Sequence, residues 1–436
     1  MRSWVALGLG LAAAIPAFAA EPIRVSPDRT PAPPGIELET QAEPHVAVSP
    51  KNSLHVAVAW QDGRFPGFGA AHLGFAFSKD GGATWKATRV PRLTQSQGGS
   101  YLAVTDPWVG IDTKGRIFVA ALVQKTSGST AIVVSSTADR GTTWRGPVVV
   151  HDTGAFDDKV SLTIDTSATS ASRDTVYVGW SINHVPVVAR STDQGRTFGP
   201  PVPLSPSEFG LGVVLACADD GRLHAVWQGA DGSGTALRAV FSDDRGATWS
   251  TATTVGSVVS AGVEGVRTGD GLPSLAILGQ RPFVVWQDGR FSPQEIVHVA
   301  LASSTDGGLS WSAPRRISGG PLAAANFLPA IARDRAGRLS VAFLSLRNDP
   351  ARSWLADVYF VSSRDGGKTF AAARRLTPRT FDLREAAQSA GRAFVGDYFG
   401  LAGGARFHAL FVGPWLPSVT DPGRRQPDVL AVSVDG

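Results

Sequence analysis

Of the 436 residues, 43% are hydrophobic and only 18% charged, against about a quarter in an average globular domain, so the chain can bury a large core and is not disordered. A formal net charge of +4 is small for this length, the basic residues are scattered, and no run of Lys or Arg interleaved with aromatics occurs, which argues against a nucleic-acid partner. Gly 49 and Pro 29 without a low-complexity tract imply many short elements joined by turns, and hence an all-β protein.

Residues 1–19 place Arg2 before an apolar run from Val5 to Ile15, then Pro16 and the small-residue pattern Ala17-Phe18-Ala19, which fits a secretory signal peptide cleaved after Ala19. The expectation is an exported protein, periplasmic or extracellular, whose residues 20–436 form a single domain. No later run approaches the apolar length of a membrane span, and no cysteine follows the cleavage point to carry a lipid, so no membrane anchor is expected. Cys217 is the single cysteine and cannot form an internal disulfide; its apolar run GVVLACA reads as a buried strand.

Along the rest of the chain, pairs of β-branched and apolar runs of strand length recur: PHVAVSP and LHVAVAW, PWVGID and IFVAALV, VSLTID and TVYVGW, GVVLACA and LHAVW, LPSLAIL and FVVW, LPAIA and LSVAFL. Each pair is followed by one octet: SKDGGATW, TADRGTTW, STDQGRTF, SDDRGATW, STDGGLSW and SRDGGKTF. The octet aspartates Asp80, Asp139, Asp193, Asp244, Asp306 and Asp365 are 59, 54, 51, 62 and 59 residues apart, the length of four short strands with their loops, which is one propeller blade. Chemically the octet is a turn, in which Asp accepts backbone N–H bonds, the Gly two residues on permits positive φ, and Trp or Phe closes it by packing between strands. Trp85, Trp144, Trp249 and Trp311 close octets, while Trp60, Trp180, Trp227 and Trp286 end second strands, where packing between blades is their default role. After Phe370, DYFGLAG, FHALFVG and DVLAVSV read as three strands of a last unit with no chain left for a fourth. The segment EPIRVS from Glu21 is similar to those following octets, APRRISG and AARRLTP, and is expected to supply the missing outer strand and close the ring.

The pattern S-x-D-x-G-x-[TS]-[WF] resembles the Asp-box, or bacterial neuraminidase repeat, of sialidases and other β-propeller proteins, and six copies cover residues 78–370. The resemblance implies a sialidase-like β-propeller of four-stranded blades, with each box between the third and fourth strands on the face opposite the active site, so that the six box aspartates are structural. Unit spacing favours seven blades, with six as the other count; sialidases have six.

If the strands run as in sialidases, the functional face collects the starts of first strands and the ends of second strands. It then carries Glu43, His45, Asp62, Arg64, Asp106, Trp108, Asp157, Asp158, Asn183, His184, Glu208, Arg267, Asp270, Asp288, Arg290, Asn326, Arg347, Asp349, Asp397 and Tyr398. This two-sign polar set suits a sugar or an acidic sugar. The eight histidines show no ligand spacing, so no metal and no cofactor is implied; calcium among the loop aspartates stays open because nothing specifies it.

The resemblance further implies roles: three arginines clamping a substrate carboxylate, a Tyr nucleophile assisted by a Glu, and an Asp handling the leaving-group proton. On this chain Tyr398 would be the nucleophile, Glu208 its base and Asp62 the acid. Arg64, Arg267, Arg290 or Arg347 would rebuild the clamp, with Trp108 lining the substrate site. The first blade departs from the family, since Ala42 stands where the first clamp arginine belongs, with Glu43 beside it, and in blade 4 Trp227 stands where another is expected. WQDGRF occurs twice, at 60–65 and 286–291; each Asp-Arg pair reads either as proton donor plus anion binder or as a brace for the loop. Three functions remain open: a glycan- or protein-binding propeller, an exo-α-sialidase-type glycoside hydrolase, and a hydrolase or lyase of another polysaccharide. In each case the expected partner is a glycan or glycoconjugate and the protein a monomer.

Overall fold

The structure is a computed structural model describing residues 21–27, 35–37, 40–205, 207–349, 351–417 and 425–436. The chain is all-β, built of four-stranded antiparallel sheets in the manner of a β-propeller. In chain order the described strands form four-strand units at 41–89, 103–151, 157–203, 211–257, 274–316 and 326–375, then a unit of Gly400–Gly403, Phe407–Pro417, Arg425–Val434 and Ile23–Arg24. The first two units are linked by a single bridge between Ala70 and Val104. In the first six units the strands pair in sequence order, so each is a meander from an innermost to an outermost strand, while in the last the N-terminal Ile23–Arg24 takes the outermost place.

Second strands such as Val56–Phe65 and Ile117–Gln124 are buried along almost their whole length. Neighbours cover both their faces, which is why they read as continuous apolar runs rather than alternating ones. The tryptophans that end them fill the space between units. Trp180 shares a core cluster with Phe118 and Ala120, Trp227 with Tyr177 and Val188, and Trp286 with Val226 and Leu237, in each case residues of the preceding unit. Trp60, in the first unit, shares its cluster with Phe407, Phe411 and Val429 of the last.

The octets fold as their chemistry requires. Ser78 donates from Oγ to Asp80 Oδ1 at 2.8 Å, Asp80 Oδ1 accepts the Thr84 N–H at 2.8 Å, and Thr84 Oγ1 donates to Oδ2 at 2.5 Å. Gly82 sits at φ 86° and gives its N–H to Ser78 Oγ, a conformation that a side chain would strain. Trp85 closes the turn by donating from Nε1 to the Gly82 carbonyl at 3.1 Å. The same Ser/Thr to Asp bond recurs at Asp139, Asp193, Asp244, Asp306 and Asp365. Hydrogen bonds from Thr84 and Ser78 hold the Asp80 carboxyl down to about 2.

The segment EPIRVS pairs with the C-terminal strand: Ile23 lies opposite Ala431 and Arg24 opposite Leu430. Val25 gives its N–H to the Val429 carbonyl at 2.8 Å, and Arg24 Nη2 reaches the fully buried Asp428 at 2.7 Å. The signal-peptide reading of residues 1–19 lies outside the described residues.

Two features differ from the sequence reading. The innermost strand of the last unit begins at Gly400 instead of Asp397, because Gly396 at φ 135° turns the preceding residues across the top of the first unit. After the sixth octet, a three-stranded sheet of Ala387–Ser389, Arg392–Phe394 and Val266–Arg267 forms, its last two strands parallel. It joins segments more than a hundred residues apart, a pairing that local pattern cannot reveal.

Candidate functional site at the mouth of the central cavity

The innermost strands Gln41–Val48, Ala103–Ile111, Asp157–Ile164, Leu211–Cys217, Ser274–Leu278, Asn326–Arg333 and Gly400–Gly403 all contribute to the wall of one cavity of about 380 Å³. Near their starts, five of these strands carry a register irregularity containing a positive-φ residue: Glu43 (φ 51°), Asp106 (50°), Lys159 (56°), Gly212 (71°) and Leu328 (50°). Four of the five are not glycine, a left-handed conformation that only surrounding contacts can enforce. The bulges carry Glu43, Asp106 and Lys159 to one place.

There the Lys159 ammonium lies 3.3 Å from Asp106 Oδ1 and 3.8 Å from Glu43 Oε1, and it bonds Asp397. Arg267 holds the same Asp397 with Nε to Oδ1 at 3.0 Å. All three carboxylates are buried. Burial, followed by the neighbouring Asp106, pushes the Glu43 carboxyl up to about 7. Burial opposes the ionisation of Asp397, yet Lys159 and Arg267 outweigh it and hold that carboxyl low; burial raises Asp106. With Glu43 protonated, Asp106 and Asp397 balance Lys159 and Arg267.

An aromatic edge adjoins this cluster. His45 and Trp108 stack with centroids 3.9 Å apart, and Trp108 lies 5.4 Å from Tyr398. Burial lowers the His45 pKa to about 3, so its ring is neutral, and Nδ1 accepts the Val109 N–H at 3.2 Å. Tyr398 donates its hydroxyl to the Pro107 carbonyl at 3.0 Å; burial, reinforced by Glu43, Asp106 and Asp397, raises its phenol well above the ordinary value.

The remaining sequence candidates lie elsewhere or are already bonded. Tyr398 and Glu208 do not form the expected pair: the carboxylates around Tyr398 are Glu43, Asp106 and Asp397, while Arg238 grips Glu208 through Nε at 2.9 Å and through Nη2. Asp62 is buried and bound by Arg89 at 2.7 Å. Arg64 is buried against Gln61 and over the Phe394 ring at 4.5 Å, and Arg267 lies over the same ring at 4.7 Å. Arg290 binds Asp288 with two bonds of 2.9 Å. Arg347 lies 4.0 Å over Tyr359 and donates to Asn326 Oδ1 at 2.8 Å. Each of the four arginines is thus engaged by a partner within the chain. In the second WQDGRF the Asp-Arg pair bonds within the hexamer, whereas in the first Asp62 pairs with Arg89 outside it.

Lys159, the centre of the cluster, is the functional residue that the sequence reading missed. The signal available was its position: Glu43, Asp106 and Lys159 stand at the same offset in PHVAV, PWVGI and VSLTI, one residue before each run.

Fold and site together define a propeller-type repeat protein in which Lys159 and Asp397 of a buried charged cluster line a cavity walled by the innermost strands. A family model of the BNR repeat-like domain matches residues 38–257, just over half of the chain, and the protein belongs to that family. Among solved structures it is similar to an unknown-function protein from Dyadobacter fermentans, with 15% identity over 97% of this chain and 100% of that one at a TM-score of 0.51. An α-L-arabinanase from Penicillium chrysogenum, complexed with arabinobiose, has 13% identity over 76% and 94% at 0.50, and the Hadza microbial sialidase Hz136 has 15% over 88% and 74% at 0.48. At such identities the likeness is one of fold. No curated protein matches the sequence.

Proposed function

We propose that the protein is an exported, monomeric, seven-bladed propeller that binds glycans at the face bearing the cavity mouth, without sialidase chemistry. The seven units would form one ring, closed where Ile23–Arg24 completes the last sheet and Trp60 packs between first and last units. The leader-like pattern of residues 1–19 supports export. The observation that carries the functional reading is the engagement of Arg64, Arg267, Arg290 and Arg347 by partners within the chain, while Trp108 and Tyr398 stay half-buried at the cavity wall. A carboxylate clamp needs free guanidinium groups, whereas glycan binding needs aromatic faces beside polar groups. The six box aspartates would be structural.

A second reading, hydrolysis or lysis of another polysaccharide, is favoured by the grouping of Glu43, Asp106 and Asp397 around Lys159 beside the cavity, where burial raises the Glu43 carboxyl toward the range of a general acid. A glycan array, run beside a panel of sialosides and aryl glycosides, separates the two. Retention without release supports binding, release from aryl glycosides supports the second reading, and release from sialosides overturns both.

A further inference from the structure

Beside the mouth, on the same face, two connections present aromatic rings to solvent. Phe156 precedes the innermost strand of the third unit and is 49% exposed; Phe209 precedes that of the fourth and is 68% exposed. Between them His184 tops the hairpin of the third unit, its ring 6.1 Å from Phe156. The arrangement is held by hydrogen bonds: Asn183 Oδ1 accepts the Phe156 N–H at 3.1 Å, the Phe156 carbonyl accepts the Asn183 N–H at 2.8 Å, and the His184 carbonyl accepts the Gly210 N–H at 2.7 Å. Asn183 and His184 both sit at positive φ, so the hairpin is a tight one.

His184 and Phe209 wall a shallow hollow of about 340 Å³ whose other residues are Gly210, Gln228, Gly229 and Thr235. A β-carbon at Gly210 would come within 2.4 Å of the Trp227 ring, and one at Gly229 within 3.0 Å of its Nε1, so the missing side chains leave the indole directly beneath the hollow. That indole N–H is buried and has no hydrogen-bond partner among the described residues. In the third and fifth units the matching N–H groups donate to Asp157 at 2.9 Å and Asp288 at 2.7 Å. Trp60 Nε1 also lacks a partner among the described residues, but it lies under Gly74, which is buried within its sheet.

Gln228 also lines a second hollow of about 190 Å³, together with Lys159, Arg267, Asp270, Arg392 and Asp397. Lys159 and Arg267 serve Asp397, and Asp270 accepts from Thr268 and Gln287. The exposed Arg392 guanidinium has no ion-pair partner among the described residues, so its charge is open to a ligand at this end.

We propose that these two hollows form one oligosaccharide subsite, in which Phe209, His184 and Phe156 face a sugar ring and Arg392 binds an acidic group carried by the same glycan. The proposal deepens the glycan-binding reading and rests on it. Aromatic faces are electron-rich and attract the polarised C–H face of a pyranose. Gln228 and Thr235 offer the hydroxyl groups donors and acceptors, and a guanidinium matches a carboxylate or sulfate in geometry as well as charge. The two hollows together fall in the size range of small-ligand sites, about 300–1,000 Å³.

The experiment is an array of uronic-acid-bearing, sulfated and neutral oligosaccharides, probed with the wild type, Phe209→Ala, Phe156→Ala and Arg392→Ala. These side chains are exposed, and unchanged melting temperatures check that the variants remain folded. Loss of either ring is expected to weaken retention about tenfold, a typical share for an aromatic anchor. Arg392→Ala is expected to weaken acidic ligands and spare neutral ones, with the wild-type preference for acidic ligands fading as salt rises. If the wild type retains glycans and Phe209→Ala and Phe156→Ala retain them equally, the subsite is overturned while the glycan reading stands. If acidic ligands survive Arg392→Ala undiminished, the acidic-ligand assignment is overturned. If the wild type retains no glycan, both readings fall together.

Discussion

Arg267 donates from Nε to Oδ1 of Asp397 at 3.0 Å, across 130 residues of sequence, and Lys159 binds the other oxygen of the same carboxylate. An arginine suited to a ligand's carboxylate is therefore committed to the chain's own. Replacing Lys159 with Met leaves Glu43, Asp106 and Asp397 buried around a missing cation. Removing one partner of a buried ion pair costs about 3–5 kcal/mol, so Lys159→Met should unfold at markedly lower denaturant than the wild type. An unchanged midpoint would mean that the cluster is hydrated or protonated in solution.

Glu43 gives the fold a pH dependence whose direction follows from its environment. Its carboxyl is raised from an ordinary 4.5 to about 7 by burial first and by Asp106 second. Below pH 4.5 the group is protonated folded and unfolded alike. Between 4.5 and about 7 the unfolded chain gives up this proton first, so its contribution to stability falls as pH rises and then levels off. Glu43→Gln should flatten that part of a stability-versus-pH curve measured by denaturant titration. A mutant curve parallel to the wild type would assign the slope to another group.

The N-terminal strand should be indispensable to the last sheet. Deleting Glu21 to Ser26 removes the pairing of Ile23 with Ala431, the Ser26 bond to Asp428 at 3.2 Å and the Arg24 ion pair, which leaves Asp428 buried without its cation. Calorimetry should show a melting temperature lower by several degrees, and Arg24→Ala alone should give part of that loss. A truncated protein that melts with the wild type would refute closure through this strand.

Asp244 tests the octets. It accepts the N–H groups of Ala247 and Thr248 at 3.0 and 2.9 Å and the hydroxyls of Ser242 and Thr248 at 2.8 and 2.6 Å. Because the turn is exposed and water can replace part of this set, Asp244→Ala should cost about 1 kcal/mol, the lower part of the range for lost hydrogen bonds. Glycan retention should not change at temperatures where the variant stays folded. Lost retention with stability intact would place the octet in the binding site.

What the sequence makes legible follows from how far its interactions reach. The octet satisfies itself within eight residues, so Asp80 and its five counterparts can be assigned to turns without knowing the fold. Strand pairs are legible because the central stretch of each second strand, such as Val56 to Trp60 or Phe283 to Trp286, is buried on both faces and reads as an apolar run. The cluster at the mouth is different: Lys159 and Asp397 lie 238 residues apart and meet only when first strands are arranged around the cavity. The two WQDGRF copies show why identical local sequence does not fix a partner. Val56–Phe65 runs through Arg64, keeping it extended, so Asp62 reaches Arg89; Arg281–Asp288 ends at Asp288, and Arg290 folds back onto it.

Tyr398 decides between binder and sialidase-type enzyme. As a nucleophile its phenol would have to lose a proton to a base and approach an anomeric carbon. Instead it donates to the Pro107 carbonyl, and burial together with Glu43, Asp106 and Asp397 holds the proton on far more firmly than in water. The wild type is therefore expected to release nothing from a fluorogenic sialoside at any pH where it is folded. Tyr398→Phe removes only the hydroxyl and its bond to Pro107, a change of about 1 kcal/mol, so fold and glycan retention should both survive. Trp108→Ala is expected to do more damage, because it removes a ring that stacks on His45 and borders the cavity. Sialoside release by the wild type that disappears in Tyr398→Phe, with ground-state binding preserved, would instead show the phenol attacking substrate, and the binding reading would have to be abandoned.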